Sequence, residues 1–584
     1  MVRLIFRVNY RWRLIVAALF LVLGVSVCAT RVRADDSPSL AASATAPQSA
    51  LGQALSAQGQ NELISLIKSG EFASLRRPNF ADYRDQVLTF YEAGAYSLAW
   101  VRNNEPTPQG SILIELFKAA AENGLNPDDY DASRWDDRVR RLGAQSEDSQ
   151  VHFDLALTVC AMRYVSDLHV GRVNPQHFKF GLDVGPKRYD LTEFLRNEVV
   201  YSRDVKLATA AVEPRYGGYG RLKRALAVYL KLAAAGDGEP VPVPARTVRP
   251  GDSYPGTPLL VARLNLLGDT IPDNLKEFGG GSSVYKGAVV DAVRHFQDRH
   301  GLEPDGFLGK GTVTALNMPL RIRVEQIQFA LERYRWIPDS FPEPPIVVNI
   351  PEFRLRTMIR QPGALPLDMA VVVGKAYQHR TPVFADYMRY VIFRPYWEVP
   401  PSIAQAELIP KIRRNPNYAA AHNFIVVGGG GEVVAGGAVS GSVLEGLRSG
   451  LYRLRQKPGP KNSLGLVKFI FPNSYNVYMH GTPAIKLFAR SRRDFSHGCI
   501  RVENPLALAE WVLHNNPEWT EERIAAAMHG SETIQVDLAD PIPVLILYST
   551  AVVEPNGQIH FFDDIYGYDA ALQRVLEGGY PYLN

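Results

Sequence analysis

The spacing of hydrophobic positions changes character along this chain, and the changes divide it. An almost unbroken apolar run from Leu14 to Val27 follows Arg3, Arg7, Arg11 and Arg13. Its length suits the core of an export signal better than a full membrane span, which needs about 20 residues. Residues 35–58 are rich in Ala, Ser and Pro and carry no core pattern, so they read as a disordered linker. From 59 to 245 apolar residues recur at helical spacing, in ILIELFKAAAENGL (112–125), VHFDLALTVCAMRYVSDLHVGRV (151–173) and RLKRALAVYLKLAAAG (221–236). Gly124 and Gly236 supply stop signals. A proline-rich linker (241–253) precedes a small unit of three predicted helices, 254–318, in which Thr312 is the expected cap of the last helix. Residues 321–338 predict an amphipathic connecting helix with its arginines on a solvated face and Trp336 as a packing anchor.

From 345 the period becomes that of strands, rich in Val, Ile, Tyr and Phe. In NVYMHG (476–481) the alternation sets Val477 and Met479 on one face, Tyr478 and His480 on the other. About 75 residues, 399–473, interrupt this β region, and an insertion that long is usually functional or disordered. Asn504-Pro505 predicts the start of a helix, and Asn556-Gly557 a hairpin within a C-terminal β extension, 537–584. The fold class is therefore multidomain α+β: a mostly helical N-terminal part, a small three-helix module and a β-rich domain.

Composition narrows the function. At 584 residues the chain is long enough for three or four domains. Its 64 basic and 60 acidic residues give a net charge of only +4, which does not support nucleic-acid binding. Three cysteines are few for an exported protein. Cys28 lies in the export segment, where lipidation is disfavoured by Val27, and Cys160 lies in an apolar helical stretch. A Cys160–Cys499 disulfide would join two predicted domains and remove the one thiol placed for chemistry. Cleavage after Ala29 or Ala34 and retention as an uncleaved anchor both remain open. His152, His169, His177, His295 and His300 have no ligand-spaced Cys or Asp partners, so no metal and no cofactor are assigned. GGGGEVVAGG lacks the Lys-Ser/Thr of a phosphate loop.

The chemistry lies in HGTPAIKLFARSRRDFSHGCIR, residues 480–501. Unaided, only a few per cent of a cysteine is thiolate at neutral pH, and a nearby imidazole can take the proton. His480 and His497 are both candidates for that base, His497 being poorly placed because it sits only two residues from Cys499. Gly498 leaves its backbone N–H free to approach a developing oxyanion.

This run closely resembles the signature of the L,D-transpeptidase catalytic domain (YkuD-like), which remodels bacterial peptidoglycan. The resemblance extends through VVNIPEFRL (347–355), VVVGK (371–375) and RTP (380–382), covering about 345–536. YRDQVLTFYEAGAYSLAWV with LNPDDY resembles the scaffold region of the large Gram-negative members. AVRHFQ…HGL…DGFLGKGT is similar to a peptidoglycan-binding domain, and 399–473 resembles their capping subdomain.

The resemblance implies Cys499 as nucleophile, His480 as proton shuttle, the carbonyl of Gly481 as orienter, N–H groups of Gly498 and Cys499 as oxyanion hole, and His497 in support. Arg501, Tyr478, Ser496 and Arg493 are the expected substrate-side residues, with Ser496 also open to a purely structural role and Arg492 a weaker candidate. It further implies 3→3 cross-linking of diaminopimelate-containing peptide stems, acylation by carbapenems, and a periplasmic location, attached to the inner membrane if the N-terminus is retained. An L,D-carboxypeptidase, attachment of a protein lysine to the wall, and a non-catalytic wall-binding scaffold are the alternative readings.

Overall fold

The computed structural model of the chain describes residues 53–143, 146–188, 190–269, 284–358, 366–376 and 379–579. The expected export segment, Cys28 and most of the linker lie outside them. The end of that linker is folded rather than disordered: Leu55 is buried, and Ser56 caps a helix, Ala57–Ser69, by accepting from Gly59 N–H. A serine oxygen there satisfies a donor that the first helical turn leaves unpaired.

The helical region packs around α1, Glu147–Val170. Ser146 caps it, Glu147 and Asp148 complement its positive end, and Gly171 with φ +87° ends it. Almost every side of α1 is buried, and its most deeply buried carboxylate, Asp154, accepts from Trp100 N (2.7 Å), Ala99 N (3.2 Å) and Tyr91 Oη (2.7 Å). These bonds offset the cost of removing the carboxylate from water.

The small module is three helices, Thr257–Leu266, Ala288–Arg299 and Lys310–Leu316, around Leu260, Val293, Phe296 and Leu316. Thr312 does not cap the third helix, which starts after Gly309. It lies inside the helix and shares a buried hydrogen bond with Gln297 (3.1 Å).

The connecting helix α2, Leu320–Arg335, differs from its expected solvated face. Arg323, Arg333 and Arg335 are buried. Arg335 pairs with Glu332 (3.3 Å) and donates to Asn123 O and Tyr219 Oη, while Glu332 also accepts from Arg172 N and Val173 N. Arg333 pairs with Asp569 from the far end of the chain. Trp336 is an anchor as expected, packed against Phe178 and Phe180.

The β region contains strands β1 (Ile346–Asn349), β2 (Arg354–Thr357), β3 (Asp368–Gly374) and β4 (Phe384–Phe393). The insertion comes next, with β5 (Trp397–Glu398), β6 (Phe424–Val427), β7 (Val433–Ala435) and β8 (Arg453–Gln456). The chain then returns through β9 (Val467–Ile470), β10 (Met479–His480), β11 (Asp494–Ser496), β12 (Ile500–Val502) and β13 (Ile534–Leu547).

The main sheet has the order β11-β3-β12-β10-β9-β4-β13-β1-β2, and a further β2–β3 pairing closes it on itself. Closure leaves only the short β11 at an edge and encloses a core that includes Val348, Val371, Val391, Phe469, Met479 and Ile546. Helix α3, Pro505–Val512, is capped by Asn504 as expected and adds Leu508 to that core. Gly181, from the helical region, bonds on both sides of Phe384 (2.8 and 3.1 Å), tying that region to the sheet.

The insertion has its own four-stranded sheet, β5-β8-β6-β7, and its own core of Ile412, Phe424, Val426 and Leu454. It ends before 467, earlier than expected, because β9 already belongs to the main sheet. The C-terminal extension is not all β. After the expected hairpin, β14 (Ala551–Val553) with β15 (Ile559–Phe561), the chain forms α4, Tyr568–Gly578. No helix among the described residues is long and apolar enough to cross a membrane.

Candidate active site

Three neighbouring strands of the closed sheet build the site. Antiparallel β9–β10 sets Lys468 opposite His480, and parallel β10–β12 sets His480 opposite Arg501. Partners in register share a face, so Lys468, His480 and Arg501 form a row across the sheet. Cys499 immediately precedes β12, two positions before Arg501 and therefore on the same face. It comes after Gly498, whose φ of +113° is open to glycine and costly to other residues. This turn presents the thiol from a rigid strand end.

The turn is braced from behind. Thr381, fully buried, donates from Oγ1 to Gly498 O (2.8 Å) and accepts from Gly374 N (2.9 Å). Tyr566 donates to Gly374 O (2.6 Å) and accepts from Thr381 N (3.1 Å). VVVGK and RTP thus serve the cysteine from a distance, by holding its loop. A Cβ on Gly374 would run into the His379 carbonyl, so only glycine fits there.

His480 is 5% exposed. Its Nδ1 lies 2.5 Å from Gly481 O, and the Leu464 carbonyl also faces the ring. Gly465, in the left-handed region, brings that loop hard against Gly481. Burial, then the neighbouring Arg501 and Lys468 charges, push the imidazole down to about 3, so it is neutral at physiological pH. Burial pushes the Cys499 thiol up, opposed by hydrogen bonds from Tyr478 and by the Lys468 and Arg501 charges. Free thiol and neutral imidazole are thus the resting pair. Cys160 is also free but deeply buried, and burial holds its thiol at about 12. No Cys160–Cys499 disulfide forms.

The remaining expected residues separate into two groups. Tyr478 reaches the thiol with its hydroxyl, and burial raises its phenol. Arg501 has a buried Nε without a protein acceptor among the described residues. His497 accompanies the loop, but its Nε2 lies 2.6 Å from Glu407 of the insertion, and its ring stands 4.9 Å from that of His379.

Ser496 and Arg493, expected on the substrate side, spend hydrogen bonds within the protein. Ser496 is 2% exposed, donates to Cys499 O (2.6 Å) and accepts from Gly498 N (3.1 Å), which makes it a brace for the loop. The Gly498 N–H is consequently already engaged, and Cys499 N–H is the donor left for an oxyanion. Arg493 spends its guanidinium on the carbonyls of Val371, Phe353 and Arg490, and Arg492 pairs with Asp494 (2.8 Å). Both guanidinium groups are thus partly committed within the protein.

A thiol, an imidazole and fixed cations on one face of a closed sheet invite comparison with known proteins. Residues 344–536 match the L,D-transpeptidase catalytic domain, YkuD. Residues 85–226 match a Scaffold domain and residues 258–316 a "Putative peptidoglycan binding domain". A curated protein of Haemophilus influenzae named "Putative L,D-transpeptidase" is 34% identical over 245 residues, 42% of this chain and 48% of that protein. The chain thus spans about half the length of the curated relative it matches. A crystal structure of an L,D-transpeptidase from Xylanimonas cellulosilytica is 15% identical and covers 52% of this chain and 100% of its own, with a TM-score of 0.17, too low to bear on function.

Within the YkuD-like domain, sequence reasoning missed Lys468, Glu407 and Tyr566. Lys468 left a visible trace, a lone cation in the otherwise apolar strand LVKFIF. Glu407 and Tyr566 left none, because each reaches the site from remote sequence. Among the described residues, no group of three or more His, Cys, Asp or Glu side chains is arranged to hold a metal ion.

Proposed function

We propose that this chain is a cysteine-dependent L,D-transpeptidase that makes 3→3 cross-links in peptidoglycan. The observation that carries the reading is the pairing of two strands that sets His480, with Nδ1 on the Gly481 carbonyl, beside the Cys499 turn. That carbonyl fixes the ring as neutral base, and the turn aims the thiol outward.

Cys499 gives its proton to His480 and attacks the carbonyl of the third stem residue, diaminopimelate. The tetrahedral oxyanion is held by the Cys499 N–H. His480 returns the proton to the departing amine, D-Ala leaves, and a thioester remains. The amine of a second stem then attacks, His480 accepts its proton, and the peptide bond forms as the thiol is released. Arg501, whose planar guanidinium suits carboxylates, holds a carboxylate of the donor stem. The domains matched upstream support binding to peptidoglycan, hence an extracytoplasmic, periplasmic site of action, and the insertion is proposed to cap the donor site.

The test is intact-protein mass spectrometry with a carbapenem, followed by incubation with tetrapeptide muropeptides. A single adduct is expected on the parent, none on Cys499→Ala, and acylation at least 100-fold slower on His480→Ala, in line with the 10²–10⁴-fold typical of general-base assistance. An adduct on folded Cys499→Ala would sink the assignment. Tripeptide products without cross-linked dimers would replace transpeptidation by L,D-carboxypeptidase activity.

A further inference from the structure

We propose that Lys468 is a positioning residue that supplies the countercharge for the Cys499 thiolate, acting through the ring and hydroxyl of Tyr478. The Lys468 Nζ lies 3.9 Å from the centroid of the Tyr478 ring. The Tyr478 hydroxyl and backbone N–H in turn face the thiol and favour its ionised form. A cation over the ring face draws electron density from the phenol and makes its O–H a stronger donor to sulfur.

The location has no structural excuse. The flanking residues of β9, Val467 and Phe469, are core, and an apolar side chain would avoid the desolvation that Lys468 suffers. No carboxylate lies within 4 Å of its ammonium among the described residues, and the charges that support it are those of Cys499 and, more distantly, Glu398. A half-buried cation whose main electrostatic partner is a thiol marks a functional charge.

His480 cannot take that part. It stands in the row between Lys468 and Arg501, and both disfavour a resting imidazolium. Acceptance of the proton and stabilisation of the sulfur anion are therefore divided between residues. The S–H bond breaks, an N–H bond forms on His480, and the negative charge left on sulfur meets the Tyr478 hydroxyl with Lys468 behind it and Arg501 alongside. No electron changes hands. The charged and titratable groups around the thiol are Lys468 on β9, Tyr478 just before β10, His480 on β10, Arg501 on β12, His497 on its own loop, His379 on the loop after β3, and Glu398 and Glu407 of the insertion.

This inference rests on the reading of Cys499 as the reactive thiol, and its test needs no transpeptidation. The rate of Cys499 alkylation by iodoacetamide is followed against pH on the full chain by intact mass, with Cys499→Ala as background. Lys468→Met is expected to move the thiol's titration midpoint up by about one unit, which lowers alkylation below the midpoint about 10-fold. Tyr478→Phe should shift it in the same direction. The double variant should shift it no further than the larger single effect, and Lys468→Arg should restore most of the parent profile. Lys468→Gln provides a second neutral variant if the methionine variant folds poorly. An unchanged midpoint in a folded neutral variant, or fully additive shifts in the double variant, would overturn the assignment. A parent that alkylates as described but forms no acyl-enzyme with a carbapenem would remove the transferase reading and leave the electrostatic role of Lys468 intact.

Discussion

At the scale of single residues, the resting charges at the site decide its pH response. His480 is held to about 3, so no inflexion from imidazole protonation is expected near the ordinary histidine range. The Cys499 thiol is pushed up by burial, so thiol and neutral imidazole stay the resting pair across the neutral range. With His480 as the general base that pair is the reactive form, so the rate of carbapenem acylation should stay nearly flat from about pH 6 to 8. A stopped-flow rate that climbs about tenfold per unit across that range would instead indicate that the thiol loses its proton to solvent before attack, without His480. Cys499 and His480 were legible in the sequence because the Ser-His-Gly-Cys and His-Gly-Thr-Pro elements are local. The charge state was not, because it depends on Lys468 and Arg501 arriving in register from other strands.

At the scale of elements, the cysteine turn is only as firm as the brace beneath it. Thr381 Oγ1 joins Gly374 N to Gly498 O in a fully buried place. Thr381→Val keeps the shape and removes both bonds, leaving a buried donor and a buried acceptor unpaired. A loss of about 1–3 kcal/mol is expected from the unfolding midpoint, together with slower acylation. If the rate fell with no change in stability, the hydroxyl would instead be acting on the reaction directly.

Strands and most helices were legible from period and caps, as at Asn504 and Asn556-Gly557. The connecting helix α2 was read wrongly on its charged side. An arginine stripe looks solvated until Glu332 and the distant Asp569 are placed against it, and linear spacing carries no trace of such pairing. The C-terminal helix α4 was overlooked behind a strong hairpin signal, although Ala570, Ala571, Leu572 and Val575 keep helical spacing.

At the scale of the whole molecule, α2 is where the regions meet. Glu332 takes Arg172 N, Val173 N and the buried Arg335, and Arg333 reaches the terminal helix. Glu332→Ala strands Arg335 without its partner in the interior, and an uncompensated buried charge costs about 3–5 kcal/mol. Guanidinium unfolding should show that loss across the helical region and the YkuD-like domain together. Loss confined to one of them would mean that the two do not unfold as a unit.

The insertion stands apart from this cooperative body. Its core of Ile412, Phe424, Val426 and Leu454 is its own, and Glu407 links it to the cysteine loop through His497. A piece with a private core can detach without disturbing its host, so the molecule should have two clocks rather than one. Amides of β6 and β8 would keep their protection from hydrogen exchange while those around Glu407 and His497 trade their protons far sooner, and Glu407→Gln should quicken the second clock alone. How often the thiol meets a donor stem would then be set by the hinge of a small independent body, and how fast it reacts by the charges fixed in the sheet.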